Sequence, residues 1–177
     1  MANNIMYYDS PIGRMVLVSD AEGLCGVYFV GQKYDRAGVD DVIEQEDEYL
    51  LDAKRWLDIY FQGKVPDFLP NLHMIGSEFQ MEVWSQLLQI PYGQTTTYGS
   101  IASHCKKEHM SAQAVGGAVG HNEISIIIPC HRVVGTNGSL TGYAGGIDKK
   151  AKLLTLEKIR MEHLFPPTNY SLTPSTR

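Results

Sequence analysis

The sequence predicts a mixed α/β (α+β) protein of two small units, and three features carry that reading. Short apolar runs separated by turn residues open the chain. A stretch from Pro66 to Pro70 reads as a linker. Beyond it the apolar spacing is that of short helices, two of them joined by a polar turn. The 177 residues suffice for one good core or two small domains. The boundaries fall at 1–70 for the first unit and 71–162 for the second, with a Pro/Ser/Thr-rich tail over 163–177 expected to lack fixed structure.

The first unit begins with strands. Ile5–Tyr8, Arg14–Ser19 and Leu24–Val30 are apolar or β-branched, and Ser10-Pro11-Ile12-Gly13 and Glu22-Gly23 separate them as turns. A helix follows from Tyr49. Leu50, Ala53, Trp56, Leu57, Tyr60 and Phe61 recur on one face, and Gly63 is placed to stop it.

The second unit opens with Ser77-Glu78-Phe79-Gln80, the pattern of a capping box, backed by the stripe Phe79, Val83, Leu87 and Ile90. Pro91-Tyr92-Gly93 ends that helix. Thr96 or Thr97 can cap a short helix over Tyr98–His104, and a second short helix spans Ser111–Val119. With the polar turn Lys106–Met110 between them, the pair resembles a helix-turn-helix. Ile124–Ile128 reads as a buried strand, Asn137-Gly138 as a hairpin turn, and Asp148 as the cap of a last helix carrying Leu153, Leu154 and Glu157.

Composition excludes several classes. No apolar run approaches the ~18 residues of a membrane span, and MANNIMYYDS lacks the basic and apolar regions of a secretory signal. Cys25, Cys105 and Cys130 are few, far apart and without a CxxC pair. That spacing argues against disulfides and structural zinc and suits a reducing cytoplasm. His104, Cys105 and His109 fit no zinc spacing, so no metal is expected. The net charge of −5 is unevenly spread: residues 1–76 carry 6 Lys+Arg against 13 Asp+Glu, residues 77–177 carry 9 against 7. A mildly basic second half is compatible with DNA, with few phosphates neutralised and a marked salt dependence.

The segment Ile126-Ile127-Ile128-Pro129-Cys130-His131-Arg132 carries the chemistry. An apolar run stops at a proline and delivers a cysteine and then a histidine. Cysteine attacks as thiolate and needs a basic or positive neighbour to become one. Consecutive residues of a straight strand point to opposite faces, so a bend after Pro129 or a bridging water is required for His131 to serve Cys130. Glu157 lies three and four residues beyond Leu154 and Leu153, on their inward face. An inward carboxylate needs a partner, and a histidine is a suitable one. Against this stands the buried cysteine that is only a small hydrophobe, which is how we read Cys25.

Gln113-Ala114-Val115-Gly116-Gly117-Ala118-Val119-Gly120 is helical in pattern yet rich in glycine, at a cost of about 1 kcal/mol per glycine relative to alanine. Two causes would offset that cost: close helix packing, or a helix laid into a narrow DNA groove.

Together these segments resemble the O6-alkylguanine-DNA alkyltransferases, also called methylated-DNA–protein-cysteine methyltransferases. The matching stretches are Ile90-Pro91-Tyr92-Gly93, Thr97-Tyr98-Gly99, Ala114-Val115-Gly116-Gly117-Ala118 and Asn122. Pro129-Cys130-His131-Arg132-Val133, Gly142-Tyr143-Ala144-Gly145-Gly146 and Lys150…Leu153-Leu154…Glu157 complete them. The close match spans about residues 77–158; the first 70 residues match in layout only. The resemblance implies a small ribonuclease-H-like N-terminal domain and a winged-helix-like C-terminal domain. The latter binds alkylated double-stranded DNA in the minor groove and flips the damaged base out of the stack. It implies a cytoplasmic monomer that works without cofactor and once per molecule.

Carried onto this chain, the resemblance makes Cys130 the alkyl acceptor, His131 its water-linked base and Glu157 the residue orienting His131. Tyr98 would donate to the departing guanine, and Asn122 would tie the recognition helix to the active-site strand. Ala112, Gln113, Ala114, Gly116, Gly117, Gly99 and Thr136 would contact DNA. Val133, Tyr143, Ala144 and Gly145 would line the base pocket.

Three other readings compete. A damage sensor of the alkyltransferase-like kind would lack the acceptor cysteine, which is present here. A Cys-His hydrolase would need an oxyanion hole and multiple turnover. A winged-helix regulator usually dimerises, and no dimerisation helix is apparent.

Two positions depart from the family pattern. Glu123 stands where proline is common after the asparagine. Gln113 stands where an arginine commonly fills the space left by the flipped base, and glutamine is shorter and uncharged. Gln113→Arg should therefore tighten DNA binding and speed transfer. Equal affinity and equal single-turnover rate in the two proteins would refute that expectation.

Overall fold

The computed structural model describes residues 2–32, 41–106 and 110–166. The chain divides into two compact units, one of residues 1–76 with 123–127, the other of residues 77–122 with 128–177.

In the first unit, strands β1 (Asn3–Ser10), β2 (Gly13–Ser19), β3 (Leu24–Phe29) and β4 (Val42–Glu44) form one sheet in the order β3-β2-β1-β4. The turn residues act as expected: Ser10 pairs with Gly13 across the two-residue loop, and Ser10 Oγ donates to the Gly13 carbonyl at 2.6 Å. The first three strands pair antiparallel, with an irregularity at Val18/Ser19, and β4 joins β1 in parallel. The central strand β2 is buried on both faces. Val16 and Val18 pack with Ile5 and Tyr28 on one face. Met15 lies across from Tyr8, whose ring stacks on Phe61 and whose hydroxyl donates to Asp58 at 2.7 Å, so this face meets helix α1 (Glu48–Phe61).

Both ends of α1 are capped by sequence-local means. Gly63, at φ +79°, follows the helix, and the N–H groups of Gly63 and Lys64 return to the carbonyls of Tyr60 and Ile59. At the start, Asp47 accepts from Leu50 N at 2.8 Å, from Asn4 Nδ2 at 2.8 Å and from Ser19 Oγ. One carboxylate thereby caps α1 and fastens it to β1 and β2. Segments 71–73 and 123–125 cover the outer edge of β3 through single bridges, Leu24 to Leu72 and Val27 to Ile124.

In the second unit the capping box forms as read: Ser77 and Gln80 bond reciprocally at the start of α2 (Glu78–Leu88). The helix ends at Leu88, ahead of Pro91-Tyr92-Gly93. Thr97 caps α3 (Tyr98–Ser103) and Ser111 caps α4 (Ala112–Gly120). The indole of Trp84 donates to the Ala118 carbonyl at 2.9 Å and ties α2 to α4. A two-residue parallel pair, β5 (Thr96–Thr97) with β6 (Val133–Val134), is too short to leave a periodic signal. Of the turn between α3 and α4, residues 107–109 lie outside the described residues, as do 167–177 of the tail.

Three expectations are corrected. Ile124–Ile128 is not a strand beyond one bridge at Ile124. Ile126 has φ +71° and Ile127 N donates to Ser125 O at 2.8 Å, a γ-turn of the strained hand. Burial of an irregular segment, not a ladder, explains its apolar character. Asp148 does not cap α5 (Ile147–Leu156); Gly146 holds that position, with φ +106°, and Asp148 lies in the first turn. His163–Phe165, read as part of the tail, runs beside Gly138–Leu140. Phe165 N donates to Gly138 O at 3.0 Å and Leu140 N to Phe165 O at 2.8 Å. A side chain at Gly138 would collide with the His163 carbonyl, so glycine admits this close approach.

Asp47→Ala should lower unfolding free energy by about 1–2 kcal/mol, from loss of the cap and its two further bonds. Denaturant unfolding checks this, and a change below about 0.5 kcal/mol would mean that α1 is held by its apolar face alone.

Candidate active site

Local backbone geometry positions Cys130 and His131. Cys130 N donates to Ile128 O at 2.8 Å across Pro129, whose φ −81° and ψ 64° make an inverse γ-turn. Cys130–Arg132 then form a single 3-10 turn. This supplies the bend after Pro129 that a histidine next to the cysteine requires. Asn122 Nδ2 donates to the Ile128 carbonyl at 2.8 Å and so holds the turn from the end of α4. Cys130, His131, Arg132, Asn122, Lys150 and Glu157 are all buried.

Glu157, just past the end of α5, collects the polar contacts. His131 Nε2 donates to Oε2 at 2.6 Å. Arg132 donates from Nε to Oε1 at 2.8 Å and from Nη2 to Oε2 at 3.2 Å, and Gly93 N donates to Oε1 at 3.0 Å. Arg132 Nη1 continues to the Ile90 carbonyl at 2.8 Å. Burial alone would raise the Glu157 pKa. The bonds and charges of His131 and Arg132 outweigh it and hold the carboxyl at about 2. Burial pushes the His131 pKa down, and the cations Arg132 and Lys150 add to that against Glu157, so the ring stays neutral. With its Nε2–H donated to the Glu157 carboxylate, Nδ1 is the basic nitrogen.

Burial also pushes the Cys130 thiol up, while a hydrogen bond from Asn122 and the charge of Lys150 pull it back. Lys150 is brought down to about 8 by burial, with a Cys130 thiolate acting the other way. Its ammonium donates to Val133 O at 2.6 Å, Thr141 Oγ1 at 3.2 Å and Gly142 O at 3.4 Å. The Tyr98 hydroxyl lies 2.6 Å from the same Thr141 Oγ1, and burial raises its pKa.

The structure thus brings Cys130, His131, Glu157, Tyr98, Asn122 and Val133 into one connected cluster. Ala112, Gln113, Ala114 and Gly117 are exposed on α4. A Cβ on Gly117 would meet nothing within 4 Å, and one on Gly116 would meet only the Tyr98 ring, at 3.8 Å. Close packing therefore does not account for this glycine pair. Thr136 is exposed; Gly99, Tyr143, Ala144 and Gly145 are half-buried. Arg132, Lys150 and Thr141 were not foreseen as parts of the cluster. A signal existed for Lys150, which shares the stripe of Leu153, Leu154 and Glu157 at spacings of three, four and seven. Among the described residues, no group of His, Cys, Asp and Glu side chains is arranged to hold a metal ion.

Residues 78–159 match the family model described as the DNA binding domain of 6-O-methylguanine DNA methyltransferase, and residues 5–74 match its ribonuclease-like domain. The chain belongs to the 6-O-methylguanine DNA methyltransferase family. It is 47% identical over 155 residues to the methylated-DNA–protein-cysteine methyltransferase of Methanosarcina acetivorans, covering 86% of this chain and 98% of that one. Identity to the protein of the same name from Mycobacterium leprae is 43%, covering 85% and 89%. The crystal structure of Mycobacterium tuberculosis OGT in complex with DNA superposes with a TM-score of 0.78 at 41% identity, covering 88% of this chain and 92% of that one. Family membership brings the activity with it: direct reversal of DNA alkylation by transfer of the alkyl group to a cysteine of the protein itself. The hydrolase, regulator and sensor readings fall.

The buried pair of this methyltransferase predicts a pH dependence. A folded-state pKa held below its unfolded value contributes stability that is complete above the unfolded value and is lost as pH falls through the folded one. For His131 the loss begins below the ordinary 6.5, before Glu157 enters at the ordinary 4.5. Unfolding free energy should therefore decline between about pH 7 and about pH 5. His131→Gln should flatten that interval, and a slope unchanged in the variant would show that His131 binds its proton equally in the folded and unfolded protein.

Proposed function

We infer that Cys130 is the acceptor, and that the site supports attack of its sulfur on the alkyl carbon of O6-alkylguanine. The observation that carries this is the buried thiol beside a neutral imidazole locked by Glu157 and near the Lys150 cation. His131 takes the thiol proton through a bridging water. The S–C bond forms as the C–O6 bond breaks, and guanine leaves with the electron pair. Tyr98 supplies the proton that guanine gains, and the proton held by His131 balances the exchange. The thioether is stable and no group in the site reverses it, so each molecule reacts once.

Lys150 and Asn122 stabilise the thiolate, the first by charge and the second by its hydrogen bond. Val133 O already accepts from Lys150, and its second lone pair is directed to the guanine edge along with main-chain groups near Cys130. The half-buried Tyr143, Ala144 and Gly145 wall the pocket. The exposed small residues of α4, Ala112, Ala114 and Gly117, enter the minor groove with Gln113 and with Gly116 above Tyr98. Gly99 and Thr136 contact the flanking backbone. The base is flipped, since the alkyl carbon is out of reach in a stacked duplex. The protein acts as a monomer in the cytoplasm on double-stranded DNA; no helix among the described residues is long and apolar enough to cross a membrane.

Mixing the protein with a duplex bearing one O6-methylguanine and recording its intact mass tests this. A gain of one methyl group per molecule, mapped to Cys130 and absent in Cys130→Ser, is expected. Methylation at Cys25 or Cys105 instead, or a protein that binds the lesion without gaining mass, would overturn the assignment.

A further inference from the structure

Thr141 is held in an unfavourable conformation for the sake of its hydroxyl. Its φ is +61°, a left-handed value that costs a β-branched residue more than most, and the adjacent Gly142 lies outside the left-handed region. A glycine at position 141 would relieve the strain, so the side chain must return something. Its oxygen meets three groups. Thr141 Oγ1 lies 2.5 Å from the Leu140 carbonyl, which only accepts, so the single hydroxyl proton points there. Lys150 Nζ, 3.2 Å away, only donates. One lone pair is left, and the Tyr98 hydroxyl at 2.6 Å must donate into it. The proton count thus fixes an orientation that heavy-atom positions alone leave open: in the resting site the Tyr98 proton faces Thr141.

We propose that Thr141 is a positioning residue for the transfer reaction, setting the direction of the Tyr98 hydroxyl and stabilising the phenolate once Tyr98 has given its proton to the departing guanine. This rests on the role assigned to Tyr98 above. When Tyr98 turns its O–H toward guanine, Thr141 loses a donor. When the proton has gone, the Thr141 hydroxyl turns from Leu140 O to the phenolate oxygen, while Lys150 continues to donate to Thr141. No bond is made or broken at Thr141, and the proton balance of the transfer is unchanged. Thr141 also opposes the rise that burial imposes on the Tyr98 pKa.

The test is a set of four proteins: the parent chain, Thr141→Val, Tyr98→Phe and the double variant, with Thr141→Ser as rescue. Each is assayed for single-turnover methyl transfer at saturating and at limiting duplex, and the Tyr98 phenol is titrated by its tyrosinate absorbance, with Tyr98→Phe as the blank. Thr141→Val should slow transfer about tenfold at saturating DNA, with DNA affinity retained, and should raise the Tyr98 titration. Thr141→Ser should restore both. In the Tyr98→Phe background the valine should add no further loss, since Thr141 acts only through Tyr98. A valine effect of equal size in both backgrounds, or an unmoved Tyr98 titration, would overturn the proposal by making Thr141 a structural residue. A parent protein that transfers the methyl group as fast with phenylalanine at position 98 would overturn the role of Tyr98 itself, a result distinct from either.

Discussion

A carboxylate enclosed by protein and placed at the carboxyl end of a helix is opposed twice, by desolvation and by the helix dipole. Glu157 occupies such a place at the end of α5, and the second unit is organised around meeting its needs. Arg132 grips both carboxylate oxygens, His131 donates to one and Gly93 N to the other. These partners come from two separate stretches of chain, the loop after α2 and the 3-10 turn, and Glu157 joins both to the end of α5. Arg132 then reaches Ile90 O, adding a second hold on the same loop. Removing any partner would leave the others around an incompletely neutralised buried charge, which is why such pairs are costly to break.

Charge within the cluster follows from the same anchor. Glu157 is balanced by Arg132, and with His131 neutral the remaining cation is Lys150. Its ammonium sits on two carbonyls and a hydroxyl, with no carboxylate among these acceptors. A buried ammonium on neutral acceptors is depressed, as Lys150 is. The anion that complements it is a thiolate at Cys130, whose charge raises the Lys150 pKa against burial. In the proposed reaction His131 and Lys150 divide the work between them, one taking the proton and the other offsetting the charge left behind.

How far the sequence reveals this depends on whether a residue's environment follows from its neighbours in the chain. Strands β1 to β3 and helix α1 carry regular periods and turn residues, and the capping box at Ser77 and the cap at Thr97 are local patterns, so these were legible. Glu157 was legible because a carboxylate on the face of Leu153 and Leu154 contradicts its surroundings. Lys150 breaks the same pattern, but a long side chain with a charged tip is usually solvated by reaching outward, and only the fold shows that it cannot. Ile124–Ile128 misled for the opposite reason. Apolar content reports burial, and here burial belongs to back-to-back γ-turns around Ile126 and Pro129. The role of Thr141 had no local signal, since Tyr98 and Lys150, the partners that give it a role, lie 43 and nine residues away.

A protein that reacts once has to keep its thiol unspent until the right carbon arrives. Exposure and thiolate character together make a cysteine vulnerable to oxidants. Cys130 is denied the first by burial, which also raises its pKa, and the second is restored only by groups within the cluster. Cys25 and Cys105 are more accessible. Burial and the nearby Glu82 carboxylate raise the pKa of Cys105, so its exposure carries little reactivity. The same enclosure explains why the site needs so many fixed donors. In a buried site each hydrogen bond and charge acts at greater strength than in water. The positive φ at Thr141 is the backbone cost of holding a hydroxyl against Tyr98.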